Sequence, residues 1–149
     1  MTRLLTDKVA IVTGAGQGVG EGIARALADA GAAVVIAARR AENGEPAAAA
    51  LREQGHEASF VRCDVTLETD VQAAIEHTID THGRPDIVVH NAVSPPGPPG
   101  PVQAVDPEVI TAQIATSTTA SYLFARAAHP HLAATRGTLI LLTSPAGME

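Results

Sequence analysis

Aromatic residues and cysteines are scarce in this sequence. Its 149 residues include no Trp, one Tyr, two Phe and a single cysteine, Cys63. A lone cysteine cannot form a disulfide framework or a cysteine-based zinc site, and it is typical of a protein kept in a reducing compartment. We therefore expect a cytoplasmic protein without disulfides and without a bound metal. The abundant Ala and Val suit close packing of helices on a sheet.

An excess of positive charge is also lacking. The sequence has 10 Lys and Arg against 16 Asp and Glu, which gives a net charge of −6. A nucleic-acid partner requires a basic face, so none is predicted. The apolar runs 32–38 and 139–142 are far too short to cross a bilayer, and the amino-terminal residues lack the charged-then-apolar order of a signal peptide. The sequence thus predicts neither a nucleic-acid nor a membrane partner.

Short apolar runs alternate with Ala-rich stretches along the whole chain. The predicted strands are Val9–Val12, Val34–Ala38, Ala58–Arg62, Ile87–His90 and Thr138–Leu142. The predicted helices are Gly18–Ala30, Pro46–Gln54, Leu67–His82 and one or two within Pro107–Ala134, with Pro130 expected to mark a break or a last turn. Strands joined by helical crossovers form a parallel sheet covered on both faces. This pattern predicts one α/β domain of the doubly wound type over residues 1–149.

A glycine-rich stretch follows the first strand directly. Its glycines at positions 14, 18 and 20 are spaced Gly-x-x-x-Gly-x-Gly, between a predicted strand and a predicted helix. Such a turn brings backbone N–H groups and a helix amino terminus close to a pyrophosphate. The Lys and Ser/Thr of a Walker A loop are missing, which leaves a dinucleotide site or a plain tight turn.

The end of the second strand carries information about the cofactor. NAD sites usually place an acidic residue there to bind the ribose 2′-hydroxyl. Here Ala38 occupies that position and is followed by Arg39 and Arg40. Guanidinium groups bind a phosphate, which an acidic side chain would repel. The sequence therefore favours NADP(H) as cofactor, and the alternative is a pair of solvated arginines.

With these motifs the sequence resembles the short-chain dehydrogenase/reductase family. Residues 13–20 match the family's cofactor turn, and Asp64-Val65 matches its adenine-contacting pair. Asn91-Ala92-Val93 is similar to its Asn-Ala-Gly motif, and residues 122–132 are similar to its long helix. The stretch 143–147 resembles the end of its fifth strand, where the catalytic serine lies.

The resemblance implies a Rossmann-type sheet with strand order 3-2-1-4-5 and a homo-oligomeric enzyme. The implied reaction is hydride transfer between NADP(H) and a small-molecule alcohol or carbonyl substrate. Ser144 is the catalytic serine by this match. The implied cofactor-binding residues are Gly14, Gly18, Val19, Gly20, Arg39, Asp64, Val65, Asn91 and Ala92.

Two departures from the family pattern bear on activity. Ser117 stands where the family has an Asn in the long helix. The family's Tyr-x-x-x-Lys is missing, since the only tyrosine is Tyr122 and the only lysine is Lys8. We therefore expect a chain truncated after the fifth strand and inactive by itself. The alternatives are a non-catalytic NADP-binding module and a defective product without function.

The fifth predicted strand is apolar at consecutive positions. Residues 138–142 read Thr-Leu-Ile-Leu-Leu, so both faces of this strand require cover. At the edge of a sheet such a strand pairs readily with another chain, because no charge or proline interrupts it. We expect the 149-residue chain to self-associate through this edge.

Overall fold

A computed structural model describes residues 3–95 and 100–143. The strands in this part of the chain are β1 (Val9–Thr13), β2 (Ala33–Ala38), β3 (Ala58–Arg62), β4 (Ile87–His90) and β5 (Thr138–Leu141). The α-helices are α1 (Gly18–Asp29), α2 (Ala41–Glu53), α3 (Glu68–His82), α4 (Pro107–Ile114) and α5 (Ala120–Thr135). A 3₁₀ turn, Val102–Ala104, precedes α4, and a π-helical segment, Ala115–Thr119, joins α4 to α5.

The strands form one parallel sheet in the order β3-β2-β1-β4-β5. In the centre of the sheet, Ile11 lies opposite Val35 on one side and Val88 on the other. Helical segments connect β1 to β2, β2 to β3, β3 to β4 and β4 to β5, which allows parallel neighbours and covers both faces. The α/β fold and the strand order predicted from the sequence are confirmed.

Two apolar layers lie on the two faces of this sheet. Alternate residues of β1 point to opposite faces, so Ala10 and Val12 pack beneath α1 and α2, while Ile11 packs beneath α3 and α5. Most side chains of the first layer are Ala and Val, whereas the second is built around Phe124, which is completely buried. Small side chains bring the helices close to the sheet, as the composition predicted.

Two prolines, Pro46 and Pro130, lie inside helices. The sequence predicts that a helix begins at Pro46 and that another breaks or ends near Pro130. The helix α2 starts at Ala41, five residues before Pro46, and Gly44 within it packs so closely on Phe60 that a β-carbon would lie 2.2 Å from the ring. The helix α5 continues beyond Pro130 to Thr135. Both predictions were wrong. A proline inside a helix removes one backbone hydrogen bond and costs roughly 3 kcal/mol of stability. Here the burial of neighbouring helix residues outweighs that cost.

The strand β5 lies at one edge of the described sheet. It pairs with β4 through Ile87 opposite Thr138, and no other described strand pairs with it. Ile140, Leu141 and Leu142 are 43%, 49% and 39% exposed. The edge position and the apolar surface therefore agree with the sequence-based expectation. Among the described residues, no helix is long and apolar enough to cross a membrane.

We predict that the 149-residue chain self-associates through β5 and that a charge on this edge prevents it. Ile140→Lys and Leu141→Lys introduce side chains that blunt strand pairing. Sedimentation velocity should show oligomers for the unmodified chain and a larger monomer fraction for both variants. Thr81→Lys is the matched control, because it adds the same charge at an exposed position of α3. Equal oligomer content in all four proteins would contradict the prediction.

A buried carboxylate joins three strands at their amino ends. Asp86 is 3% exposed, and its side chain accepts hydrogen bonds from the Val9 N–H at 3.0 Å, Lys8 at 3.2 Å and Arg84 at 3.3 Å. Its own carbonyl accepts a hydrogen bond from the Thr138 N–H of β5. Burial raises the pKa of Asp86, but these donors outweigh burial, and the pKa lies below its usual value.

This carboxylate should make the folded state sensitive to acid. Because the folded pKa is lowered, the stabilisation is complete above the unfolded pKa, about 3.9. It is lost as the pH falls through the folded pKa. Asp86→Asn should lower the free energy of unfolding at pH 7 by roughly 1.5–3 kcal/mol and flatten its decline below about pH 4. Urea titrations at several pH values measure both effects, with exposed Glu76→Gln as the control. If the free energy of unfolding declined with falling pH equally in Asp86→Asn and in the unmodified chain, Asp86 would not be the acid-sensitive group.

Candidate cofactor cleft

A cleft of about 650 Å³ opens at the carboxyl ends of the strands. In the sheet, β1 lies between β2 and β4, and the cleft opens at this point, where the strand order reverses. Ligands of open α/β sheets bind at such a position. The cleft brings together all of the cofactor-binding residues predicted from the sequence: Gly14, Gly18, Val19, Gly20, Arg39, Asp64, Val65, Asn91 and Ala92. They come from four separate segments of the chain.

The glycine turn between β1 and α1 forms one wall of this cleft. Gly14 has a φ of +66° and lies against Ala92, so a β-carbon would be 2.9 Å from the Ala92 Cα. Gly18 has a φ of +61° and faces open space. The N-cap residue of α1, Gln17, makes no capping hydrogen bond with its side chain. The first N–H groups of α1 therefore remain available for an anion.

Gly20 determines how closely α1 approaches the turn. A β-carbon at this position would lie 2.4 Å from the Gly14 carbonyl oxygen and 2.5 Å from Asn91 Nδ2. No side chain fits in that space. Next to it, Val19 is 69% exposed and lines the cleft. The third glycine of the motif is thus required by packing, while Val19 is free to contact a ligand.

Positive charge lies on the opposite rim, after β2. Arg39 and Arg40 are both exposed and line the cleft. Among the described residues neither guanidinium group has an ion-pair or hydrogen-bond partner. Between them and the glycine turn, Asn43 donates a hydrogen bond to Gln17 at 3.1 Å. This rim can bind a phosphate group that lies beyond the end of β2.

Asp64 follows β3 and is held in a tight turn. Its carboxylate accepts hydrogen bonds from the backbone N–H of Thr66 at 3.0 Å and from the Thr66 hydroxyl at 2.7 Å. Partial burial raises the pKa of Asp64, but the Thr66 hydrogen bonds and the charges of Arg39 and Arg62 outweigh it and lower the pKa overall. An ionised, immobilised carboxylate therefore lies at the cleft.

The residues beside Asp64 form the floor of the cleft. Val65 is 6% exposed and belongs to the apolar layer beneath α3 and α5. Cys63 is also buried; burial, together with Asp70 and Asp64, raises the pKa of its thiol to about 12. The cysteine is therefore a neutral thiol at physiological pH, unsuited to nucleophilic chemistry.

Asn91 and Ala92 connect β4 to the glycine turn. The Asn91 side chain donates to the Thr13 carbonyl oxygen at 3.0 Å, and the backbone N–H groups of Asn91 and Ala92 both donate to Thr13 Oγ1 at 3.0 Å. His90, the last residue of β4, has Nδ1 3.0 Å from the same hydroxyl. The sequence patterns do not single out Thr13 and His90 individually. Their only signal is a polar residue at the end of an apolar strand.

The predicted catalytic serine and the two residues that depart from the family pattern have different standings in the structure. Ser144 lies outside the described residues, while the preceding Thr143 lines the cleft. Ser117 lies in the π-helical segment, where its hydroxyl donates to the Gln113 carbonyl oxygen. Tyr122 is 59% exposed on α5, with the Arg126 guanidinium 5.4 Å from its ring centroid. In the described part of the chain, no three His, Cys, Asp or Glu side chains are grouped as a metal site requires.

The comparisons with known proteins agree with this geometry. The sequence profile of the short chain dehydrogenase family matches residues 8–149. The chain is 39% identical to L-fucose dehydrogenase of Oryctolagus cuniculus over 140 residues, which are 94% of this chain and 48% of that protein. It is 45% identical over 92 residues to cis-4-hydroxycyclohexanecarboxylate dehydrogenase of Sinomonas cyclohexanicum, covering 62% and 36% of the two chains.

A solved structure has the same fold. It is a metagenomic short-chain oxidoreductase in complex with NADP, with a TM-score of 0.87 and 36% sequence identity, and the match covers 97% of this chain and 66% of that one. The chain spans about half the length of the L-fucose dehydrogenases it matches, 48% and 50%. On the family profile, the shared sheet and the glycine turn, this chain belongs to the short-chain dehydrogenase/reductase family.

Proposed function

We propose that this chain is the cofactor-binding portion of an NADP(H)-dependent oxidoreductase that converts an alcohol and a carbonyl compound into each other. The observation that carries the proposal is the cleft itself. An uncapped helix amino terminus lies on one side of it, and two guanidinium groups without described partners lie on the other. Both features attract phosphate. The similar structure solved with NADP supports the same cofactor.

Each part of the cleft suits one part of this dinucleotide. The pyrophosphate would lie at the glycine turn, where Gly18 faces open space and the first N–H groups of α1 have no side-chain cap. Arg39 would bind the 2′-phosphate, Asp64 and Val65 the adenine, and Asn91 with Ala92 the ribose. When bound, the cofactor supplies or accepts a hydride. Ser144 would then orient the oxygen of the substrate.

The proton donor for such a reaction is not among the described residues of this cleft. Lys8 lies at the opposite end of the sheet, bound to Asp86, and Tyr122 lies on α5 beside Arg126. Neither side chain lines the cleft. These positions support a second candidate function for the 149 residues, cofactor binding without turnover. A cytoplasmic location and a homo-oligomeric state complete the proposal, and both rest on composition and on the family resemblance.

We predict that Arg39 makes the site selective for NADPH over NADH. A hydrogen bond to a charged group contributes roughly 1.5–3 kcal/mol, so Arg39→Ala should weaken NADPH binding about 10- to 150-fold. NADH affinity should barely change, because NADH lacks the 2′-phosphate. Titration calorimetry with both cofactors measures this. Arg25→Ala on α1 is the control, since Arg25 does not line the cleft. Equal losses for both cofactors would contradict the role of Arg39.

We predict further that the 149-residue chain binds NADPH without steady turnover. A positioned proton donor typically contributes about 10²–10⁴-fold to the rate, and neither Tyr122 nor Lys8 is placed to supply it. The measurement is NADPH oxidation at 340 nm with a panel of ketones and aldehydes, compared with NADPH binding by the same sample. Steady oxidation that Ser144→Ala abolishes would show that a donor had been missed. Tyr122→Phe would then test whether that donor is Tyr122.

A further inference from the structure

His90 lies behind the cofactor cleft and links two of its walls. Its side chain is 3% exposed and stacks on Phe124, with ring centroids 5.7 Å apart. On one side Nδ1 is 3.0 Å from the Thr13 hydroxyl at the start of the glycine turn. On the other side Nε2 is 2.8 Å from the Thr116 carbonyl oxygen in the π-helical segment. The ring itself does not line the cleft, so its effect on a ligand must pass through these neighbours.

The hydrogen-bond partners allow one arrangement of protons. A carbonyl oxygen only accepts, so Nε2 of His90 must carry a proton, and Nδ1 of the neutral ring is then an acceptor. The Thr13 oxygen already accepts two hydrogen bonds, from the backbone N–H groups of Asn91 and Ala92. Both of its lone pairs are used, so its own proton is donated to Nδ1. Every polar atom of the network is satisfied in this arrangement.

A second proton on His90 cannot be accommodated. It would place an N–H group against the Thr13 oxygen, which has no free lone pair. Burial lowers the pKa of His90, and the Thr116 carbonyl opposes this shift only in part. The ring contacts Thr13 of β1, Thr116 and Phe124 of α5, and Leu141 of β5 lies opposite His90 in the sheet; none of these residues titrates. No charged group among the described residues contributes to the shift.

We infer that His90 is a positioning residue for the cofactor cleft. The Thr116 carbonyl fixes its tautomer, the tautomer directs the Thr13 hydroxyl, and that hydroxyl holds the backbone of Asn91 and Ala92 against the glycine turn. This inference rests on the proposed function, because Asn91 and Ala92 are the residues assigned there to the ribose of NADP(H). It adds a requirement, namely that NADPH binds the form of the chain in which His90 is neutral.

Two amide variants separate the two sides of the ring. His90→Asn keeps an oxygen near the position of Nδ1, where it can accept from Thr13. His90→Gln keeps a nitrogen near Nε2, where it can donate to Thr116, but removes the acceptor for Thr13. In calorimetry, His90→Asn should bind NADPH with an affinity within about twofold of the unmodified chain. His90→Gln should bind NADPH about 5- to 30-fold more weakly. Thermal melting of both variants confirms that they fold. Unchanged affinity in the folded Gln variant would overturn the inference.

The dependence of binding on pH supplies a readout that a purely structural role would not change. Below the pKa of His90, the NADPH affinity of the unmodified chain should fall more steeply than that of His90→Asn, which has no titrating group at this position. Titration of the NADPH phosphate affects both proteins equally and cancels in the comparison. Superimposable profiles would contradict the inference.

The tautomer itself can be measured without any cofactor. Ring ¹⁵N NMR of the unmodified chain at neutral pH should show His90 protonated on Nε2, with the signal assigned by its loss in His90→Asn. A ring protonated on Nδ1 would overturn the inference. If the unmodified chain does not bind NADPH at any pH, the proposed function is wrong, and the NMR measurement then decides the His90 network independently.

Discussion

The carboxyl end of β1 turns into α1 with no room for a side chain at Gly20. A β-carbon there would lie 2.4 Å from the Gly14 carbonyl oxygen, so the helix and the turn are in direct backbone contact. This contact places the amino terminus of α1 at the edge of the sheet. It also brings Asn91 within 3.4 Å of the same carbonyl oxygen, which ties β4 to the turn. The segment after β4, Asn91 and Ala92, therefore lines the cleft beside the glycine turn.

The two ends of the sheet are stabilised by different kinds of interaction. At the amino ends, the Asp86 carboxylate binds two cations and a backbone N–H. At the carboxyl ends, the network of Thr13, His90 and Thr116 consists of neutral groups. The ion pairs of Asp86 thus lie at the opposite end of the sheet from the cleft, and Arg39 and Arg40 at the cleft have no ion-pair or hydrogen-bond partner among the described residues.

Much of the fold could be predicted from local patterns, and the failures have physical causes. Apolar runs predicted the five strands of the described residues to within one residue at each end, since a strand buried on both faces needs continuous apolar residues. The start of α2 was missed because Pro46 is tolerated inside a helix whose Gly44 packs on Phe60. The predicted break at Pro130 was wrong for a similar reason: Leu132, two residues further on, is buried, and α5 continues to Thr135. In both cases tertiary packing outweighed a local preference.

The sequence by itself determined the kind of site: glycines at a strand-to-helix turn and two arginines where an acidic residue would select NAD. Both signals are short-range, because the spacing of a turn and the charge after a strand are local properties. Only the tertiary structure decided how these segments meet. Thr13 and His90 are 77 residues apart in the chain, and their hydrogen bond exists because β1 and β4 are neighbours in the sheet. The proton positions on His90 and Thr13 depend on the contacts of His90 with the Thr13 hydroxyl and the Thr116 carbonyl oxygen. These contacts cannot be read from the spacing of residues along the chain.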